Sequence, residues 1–320
     1  MWLLDKIKDP VFVKQGSTAQ ALLDGLQNLR AQAQGSLAQE LDDEIRRVEL
    51  GMLGEKSVQF ELENSHIPMC VLHDLYLEHD GLSAQIDYLL ITRGCVFVLE
   101  CKNLYGDIEI NANGDFIRTV QYARRTKKEG IYSPITQNRR HLDLIRAIRS
   151  QEKTNLVSRA LFDHSFADCY RSVVVLANPK TVLYDRYAKK EVKSQVIRAD
   201  HLAEYIRQVN ALPQSPAFSE STMQEMARYF LALDRPQTTD RLEKYRAALE
   251  QQKAEAEAAE KPAAPAPAAA APAPQTEVLC PRCGAPMVRR VAAKGPNAGK
   301  AFYGCSRFPH CRGIVSLKEE

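Results

Sequence analysis

The sequence has no run of 18 or more apolar residues and no apolar leader, so it predicts neither a membrane span nor a secretory signal. A helix needs about 20 mainly apolar residues to cross a bilayer. Residues 1–6 already include one acidic and one basic side chain, whereas a secretory signal needs an uninterrupted apolar stretch. We therefore expect a cytoplasmic protein whose thiols stay reduced.

The net charge of the whole chain is small, but an excess of positive charge is concentrated in residues 277–320. The net charge is only +3, yet residues 277–320 carry eight lysines and arginines against three acidic side chains. A basic tail joined to a near-neutral body is expected to meet phosphate groups. With 45% hydrophobic and 26% charged residues, the composition is globular and excludes a wholly disordered or collagen-like chain.

The clearest boundary along the chain is a stretch of alanine and proline. Residues 261–275 hold five prolines among alanines, which predicts an extended spacer. A charged helix is predicted just before it, over residues 238–260. Apolar residues three or four apart predict an amphipathic helix over 17–50, broken near Gly35 and capped again by Ser36, which packs on the body or forms a homodimer seam. The predicted segments are an N-terminal helical segment (1–47), a central domain (48–180), a helical extension (181–249), an Ala/Pro-rich linker (250–276) and a basic tail (277–320).

Short apolar runs bounded by turns predict an α/β fold for the central domain. They read as buried strands, and Asn113-Gly114 is typical of a hairpin turn. A helix is predicted over about 135–150, so strands alternate with a helix and indicate a mixed sheet flanked by helices. The predicted strands cover 68–76, 84–92, 95–102, 106–111, 115–120 and 171–177.

Three charged side chains interrupt two of these strands. Glu100 and Lys102 share one strand face because side chains alternate. If Arg93 and Gly94 form a two-residue hairpin loop, Asp87 lies directly opposite Glu100. Two carboxylates about 5 Å apart repel each other, and Mg²⁺ prefers such hard oxygen ligands. The alternative is that both acids lie at the ends of the sheet, with Lys102 as a salt-bridge partner.

The motifs of the central domain resemble the nuclease-related domain, NERD, of the PD-(D/E)xK nuclease superfamily. The resemblance covers roughly residues 48–180 and implies a metal-dependent nuclease that hydrolyses phosphodiester bonds, with DNA as the expected substrate. A catalytically inactive nucleic-acid-binding adaptor with the same fold is the alternative. The matching pieces, in order, are Gly51-Met-Leu-Gly-Glu55, Val71-Leu-His-Asp-Leu75, Gln85-Ile-Asp-Tyr-Leu-Leu-Ile91, Val96-Phe-Val-Leu-Glu-Cys-Lys-Asn103, Gly106-Asp-Ile108 and Ser133-Pro-Ile-Thr-Gln-Asn-Arg-Arg-His-Leu142.

This resemblance implies a role for each of five residues. Asp87 and Glu100 would ligate Mg²⁺ or Mn²⁺, and Lys102 would orient the attacking water or help to deprotonate it. Glu55 would add a ligand or hold a metal-bound water, and Gln137 would steady waters at the site or contact phosphate.

Four of the eight cysteines lie in the basic tail with the spacing Cys-x2-Cys-x21-Cys-x5-Cys. They are Cys280, Cys283, Cys305 and Cys311. In a reducing compartment this pattern predicts structural Zn²⁺ in a tetrahedral site rather than disulfides. So short a segment cannot bury enough apolar surface to fold alone, so metal binding would drive its folding. His310 could replace a ligand, although four cysteines already fill the shell.

The tail also resembles the four-cysteine zinc finger at the C-terminus of type IA topoisomerases, through residues 280–284, 302–306 and 308–309. That resemblance implies binding of nucleic acid, often of single strands. Basic side chains would contact phosphates and aromatic faces would stack on bases. Alternatively, the aromatic residues form the ribbon's own core, or the ribbon contacts proteins. The residues concerned are Arg289, Arg290, Lys300, Phe302, Tyr303, Arg307 and Phe308.

A second basic run lies inside the central domain, over residues 124–128. Such a run is either a solvated charge cluster or a loop that faces DNA, and the sequence leaves both readings open.

Overall fold

The computed structural model describes residues 6–123, 125–237, 240–260, 278–292 and 298–316. The chain divides into two compact units, Met1–Glu255 and Ala256–Glu320. Most of the predicted Ala/Pro linker, residues 261–276, lies outside the described residues.

The first unit combines helices with two mixed sheets, as the α/β prediction requires. Its elements are β1 (Pro10–Lys14), α1 (Thr18–Arg30), α2 (Gly35–Glu63), β2 (Met69–His79), β3 (Leu82–Thr92), β4 (Val96–Lys102), β5 (Asp107–Ile110), β6 (Phe116–Tyr122), β7 (Arg125–Ile131), α3 (Pro134–Gln151), α4 (Leu156–Cys169), β8 (Tyr170–Leu176), β9 (Leu183–Tyr184), α5 (Lys190–Lys193), β10 (Val196–Arg198), α6 (Leu202–Asn210), α7 (Glu220–Leu233) and α8 (Glu243–Glu260).

The main sheet has six strands in the order β1-β2-β3-β4-β8-β10. The β2–β3 and β3–β4 pairs are antiparallel, and the other neighbouring pairs are parallel. Helices α3, α4 and α7 cover one face, and α2 and α6 cover the other. Both faces are therefore buried, which is why the strands read as nearly continuous apolar runs in the sequence.

A second, four-stranded sheet has the order β7-β6-β5-β9. The predicted hairpin is present as β5 and β6, which pair in antiparallel fashion. The basic run, interpreted from the sequence as either a solvated cluster or a loop that faces DNA, lies in strand β7 from Arg125 onward and is paired along β6. Arg124 is outside the described residues.

The N-terminal helices differ from the prediction in their bounds. Helix α2 begins at Gly35 with Gln34 as its N-cap, so Ser36 is not a cap. It continues to Glu63, through the expected boundary at residue 47, because its apolar positions keep packing on the sheet. Helices α1, α2 and α8 bury a shared apolar cluster within the chain. Its most enclosed members are Leu26, Ala33, Leu41, Tyr245 and Leu249.

Segments outside the central domain also contain strands that local patterns did not indicate. Strand β1 was missed because it is short and pairs with a strand more than fifty residues away. The expected helical extension also contains two strands. β9 pairs with β5 in the four-stranded sheet, and β10 pairs with β8 in the six-stranded sheet. Helix α8 runs to Glu260, so the linker begins later than residue 250. None of the helices among the described residues has the length and apolar character needed to cross a membrane.

The second unit contains a three-stranded antiparallel sheet. Its strands are β11 (Met287–Val291), β12 (Ala301–Cys305) and β13 (Ile314–Ser316).

Candidate active site and zinc centre

The hairpin of β3 and β4 has the register predicted from a two-residue loop. Tyr88 pairs with Leu99, and the ladder runs regularly from there to the loop. Beyond this pair a side chain accepts in place of a backbone carbonyl: the Cys101 N–H donates to Asp87 Oδ2 at 2.6 Å. Asp87 is close enough to Glu100 for the two carboxylates to repel each other.

An irregularity in the neighbouring strand lies next to Asp87. The β2–β3 ladder is interrupted at Asp74, a buried residue with a φ of +55°. Left-handed backbone is strained for a residue with a side chain. Two hydrogen bonds to the Asp74 carboxylate compensate, one from the Thr18 N–H at 2.5 Å and one from Gln85 Nε2 at 2.6 Å. The strained residue therefore lies beside the candidate site, and its hydrogen bond from Thr18 connects α1 to that site.

At the end of β4, Glu100 and Lys102 form a buried ion pair. Lys102 Nζ lies 2.6 Å from Glu100 Oε1 and donates to Gln137 Oε1 at 3.1 Å. Glu100 is only 2% exposed, and its Oε2 atom has no hydrogen-bond partner among the described residues. His141 Nδ1 lies 3.5 Å from that oxygen. A buried acceptor without a donor points to a group that would satisfy it.

Helix α3 brings Gln137 and His141 to this place. Asn138 is fully buried and its amide nitrogen donates to the carbonyls of Val98 and Val173, at 2.8 and 3.1 Å. These bonds fix α3 across β4 and β8. Burial lowers the pKa of His141 to about 4, so the ring is neutral at pH 7. Sequence reasoning missed His141, although its spacing of four from Gln137 places both on one helix face.

Glu55 reaches the site from α2 and is held by β2 and β3. Its Oε2 lies 2.9 Å from His73 Nε2, and the Tyr88 hydroxyl donates to its backbone carbonyl at 2.9 Å. The rings of His73 and Tyr88 stack with centroids 4.5 Å apart. These contacts position Glu55, whose side chain remains 22% exposed.

In the second unit, the four tail cysteines form one cluster. All four sulfur atoms lie within 4.8 Å of one another. The Cys280–Cys311 and Cys283–Cys305 pairs have Sγ–Sγ distances of 3.8 and 3.5 Å. Tetrahedral zinc with Zn–S bonds of about 2.3 Å requires separations of about 3.8 Å. The donor set and its dimensions fit Zn²⁺, as predicted.

The strands of the ribbon present basic and aromatic side chains together. Arg289 pairs with Tyr303, and Arg290 pairs with Phe302. The Arg290 guanidinium also lies 6.0 Å from the ring centroid of Phe308, a residue that is 57% exposed. The described apolar core of the ribbon consists of Cys280, Ala285 and Cys305 with Met287 and Cys311, so it contains none of the three aromatic residues. Phe302 and Tyr303 are half-buried, and Arg289, Arg290, Lys300 and Arg307 are exposed.

Comparison with protein families matches residues 50–177 to the nuclease-related domain. It matches residues 277–320 to the topoisomerase DNA binding C4 zinc finger. The chain contains a nuclease-related domain and a topoisomerase-type zinc finger. Comparison with curated proteins and with solved structures gave no match. The two family matches agree closely with the segments predicted at 48–180 and 277–320.

The acidic groups of the nuclease-related domain suit a divalent cation by their chemistry. Burial and the neighbouring charge of Glu100 raise the pKa of Asp87 well above its usual range, and Glu55 adds to the repulsion. Burial also raises the pKa of Glu100, against the opposing effect of Lys102. A cation would relieve this repulsion and satisfy Glu100 Oε2. Among the described residues, however, only the four cysteines form a cluster of three or more metal donors within 4.8 Å of one another.

Gly54 permits the close approach of α2 that places Glu55, and this can be tested. A Cβ at Gly54 would lie 2.7 Å from Asn103 Cβ and 3.3 Å from Cys101 Sγ. Gly54→Ala should therefore displace α2, lower the melting temperature and reduce any activity that depends on Glu55. Gly51→Ala on the same helix meets nothing within 4 Å, so it should be neutral or stabilising by ~0.5–1 kcal/mol. Thermal unfolding of both variants measures the contrast; equal melting temperatures would contradict the packing argument.

Asp87→Asn tests the acid–acid repulsion. The variant should unfold at a higher temperature than the wild type without divalent metal, because a neutral amide removes the repulsion with Glu100. The expected rise is roughly 2–4 °C, which corresponds to ~1 kcal/mol in a chain of this size. The same change should weaken Mg²⁺ binding measured by calorimetry. Asp143→Asn, an exposed position on α3, is the control and should change neither quantity; unaltered Mg²⁺ affinity in Asp87→Asn would remove Asp87 from the site.

Proposed function

We propose that the protein is a nuclease that uses Mg²⁺ or Mn²⁺ to hydrolyse phosphodiester bonds of DNA in the cytoplasm. The observation that carries the proposal is the position of Lys102 Nζ between Glu100 and Gln137, beside Asp87. Asp87, Glu100 and Lys102 come from one β hairpin, and Gln137 comes from a helix 35 residues beyond Lys102. Their convergence in a nuclease-related domain supports a catalytic centre.

Asp87 and Glu100 would hold the metal ion, and Glu55 would add a ligand or hold a water. When bound, such an ion neutralises charge that develops on phosphorus and makes water more acidic. Lys102, fixed through its contact with Glu100 Oε1, would donate a hydrogen bond that orients the attacking water. Gln137 accepts from Lys102 through Oε1, which leaves its amide nitrogen to donate to a phosphate oxygen.

The zinc finger would act as a nucleic-acid tether. Its exposed arginines and lysine would contact phosphates, and Phe302, Tyr303 and Phe308 would stack on bases. A tether raises the effective concentration of the nuclease at its substrate without adding contacts at the catalytic centre. The type of zinc finger, which is described as DNA binding, supports this assignment.

A second candidate function is that of a nucleic-acid-binding adaptor without catalysis. It is favoured by the ion pair at Glu100, because Lys102 already compensates the charge that a metal would otherwise neutralise. It is also favoured by the spacing of the carboxylates, which form no three-donor cluster within 4.8 Å among the described residues. The two functions differ in whether added Mg²⁺ produces cleavage.

A homodimer through the N-terminal helices remains a hypothesis of the sequence. Leu26 and Leu41 pack inside the chain and cannot supply a seam. The exposed side chains Leu53 and Phe60 on α2 would have to supply it.

The deciding experiment incubates the purified protein with closed circular DNA, linear duplex, single-stranded DNA and RNA. EDTA-treated protein reloaded with Zn²⁺ alone should bind nucleic acid but not cut it, and Mg²⁺ or Mn²⁺ should then start cleavage. Reloading zinc first is needed because EDTA removes the metal of the ribbon as well. Binding without cleavage under every metal condition would establish the adaptor instead.

A further inference from the structure

A cavity of about 660 Å³ adjoins the candidate active site within the first unit. Helices α1 and α2, strand β3 and residues 236–237 and 240–242 line it, and Glu55 and Asp87 form part of its wall. The mechanism above uses only these two carboxylates. The other two acids of the lining, Glu44 and Asp240, are each paired with arginine, Glu44 with two lining arginines and Asp240 with Arg246. The rest of the lining is available for a part of the substrate beyond the scissile bond.

Two arginines of the lining are fixed by one shared acid. Glu44, whose side chain is 12% exposed, accepts from Arg47 at 2.8 Å and from Arg241 at 3.0 Å. Arg47 and Arg241 keep 69% and 50% of their side-chain surface exposed. A guanidinium has five N–H donors, so each can bind a phosphate while it keeps its contact with Glu44. Glu44 thus positions both guanidinium groups in the absence of substrate.

The distance along α2 separates these cations from the carboxylates. Arg47 lies eight residues before Glu55, about 12 Å along the helix axis. With phosphates at least ~3.4 Å apart along a strand, that length corresponds to roughly two to four nucleotides. A strand with one phosphate at the carboxylates can thus place another phosphate, two to four nucleotides away, at the arginines.

The rest of the wall suits bases. Leu22, Val48 and Met52 supply apolar surface. Gln85 and Gln237, joined by a hydrogen bond of 2.6 Å, supply amide groups. Apolar surface beside amides and guanidinium groups matches the mixed chemistry of a nucleotide, whereas an acidic peptide would leave the apolar wall uncovered.

The size of the cavity favours an unpaired strand. Pockets of ~300–1,000 Å³ are matched to small ligands. A duplex, whose grooves alone are about 12 and 6 Å wide, is too broad to enter whole, whereas the phosphates and bases of one strand can enter. We propose that this cavity binds an unpaired strand of the nucleic-acid substrate, with phosphates on Arg47 and Arg241, so that the protein acts on single strands or frayed ends. Only the placement of the scissile phosphate rests on the proposed nuclease function; strand binding does not.

Binding of a fluorescein-labelled single-stranded hexanucleotide to the full chain tests the proposal. The double variant Arg47→Ala, Arg241→Ala should lose about tenfold in affinity, because two charge-assisted contacts disappear. Arg46→Ala is the control, since Arg46 is exposed on the same helix and outside the cavity lining. Ala21→Trp should lower affinity by filling the cavity without a change of charge, whereas Gln20→Trp beside it should not.

Photocrosslinking locates the strand independently of catalysis. A hexanucleotide with 4-thiothymidine should crosslink to α1 or α2 next to the cavity. If no substrate is cut but crosslinks map there and the double variant binds weakly, the strand cavity is established and the nuclease function is wrong. If blunt duplex and closed circles are cut as fast as single strands, and the double variant binds and cuts like Arg46→Ala, the nuclease stands and the cavity proposal is overturned. Crosslinks confined to residues 278–316 would overturn it as well.

Discussion

Lys102→Ala is expected to lower the rate of metal-dependent cleavage by roughly 10²–10⁴-fold, the range for loss of a positioned proton donor or charge stabiliser. The reason is that Nζ contacts both Glu100 and Gln137, so its loss removes the group that orders the centre. Single-turnover cleavage at saturating protein measures the chemical step without interference from binding by the ribbon. Affinity for uncut DNA should remain within about twofold of the wild type, because the ribbon does not involve this residue.

Two further variants separate catalysis from folding. Lys102→Ala leaves Glu100 buried without its cation, which destabilises the chain. Lys102→Met retains most of the side-chain volume. If its melting curve matches that of the wild type, any loss of cleavage comes from the missing ammonium group and not from unfolding. Lys180→Ala, at an exposed position after β8, controls for the loss of one positive charge. Wild-type single-turnover rates in Lys102→Ala and Lys102→Met would exclude Lys102 from the reaction.

The second large effect is expected from loss of the zinc finger. Deletion of residues 277–320 should weaken nucleic-acid binding and flatten its salt dependence. Four exposed cations contribute, so the slope of log K against log salt should fall by about 3 in magnitude, at roughly 0.7–0.9 per phosphate contact. Cys283→Ser should have the same effect because it removes a zinc ligand and unfolds the ribbon. Fluorescence anisotropy at several salt concentrations gives the slopes.

Cleavage by the shortened chain at high protein concentration should persist, since all five proposed catalytic residues lie in the first unit. His310→Ala is the matched control within the ribbon. It should retain zinc and full affinity, because the four cysteines already complete the cluster. An unchanged salt slope after deletion would mean that the ribbon contacts a protein instead of nucleic acid.

The parts of the site that the sequence predicted depend on local geometry. A two-residue loop fixes the register of β3 and β4, so Asp87 and Glu100 could be brought together without knowledge of the fold. The cysteine spacing similarly defines the zinc cluster, because four thiolates in a small segment have few other arrangements.

The parts that remained unpredicted depend on contacts between distant segments. Asn138 looks like an ordinary polar helix residue until α3 is placed across β4 and β8, where it becomes fully buried. Asp74 adopts left-handed backbone inside a strand, and the Thr18 N–H that helps to hold it lies 56 residues away. The cavity is lined by α1, which precedes the sheet in the chain, and by Arg241, which follows it. No local sequence pattern indicates that these two segments meet.

Strand β1 has a consequence for association between chains. It covers the outer edge of β2 over Met69–Leu72, where every side chain is fully buried. It begins with Pro10, which cannot donate a hydrogen bond, and ends with Lys14, which is paired with Asp234. Proline and lysine on a short outer strand discourage strand addition by a second molecule. A chain shortened to begin after Lys14 would instead present the open backbone groups of an apolar strand. It should aggregate through β2 even though the proposed catalytic residues are unchanged.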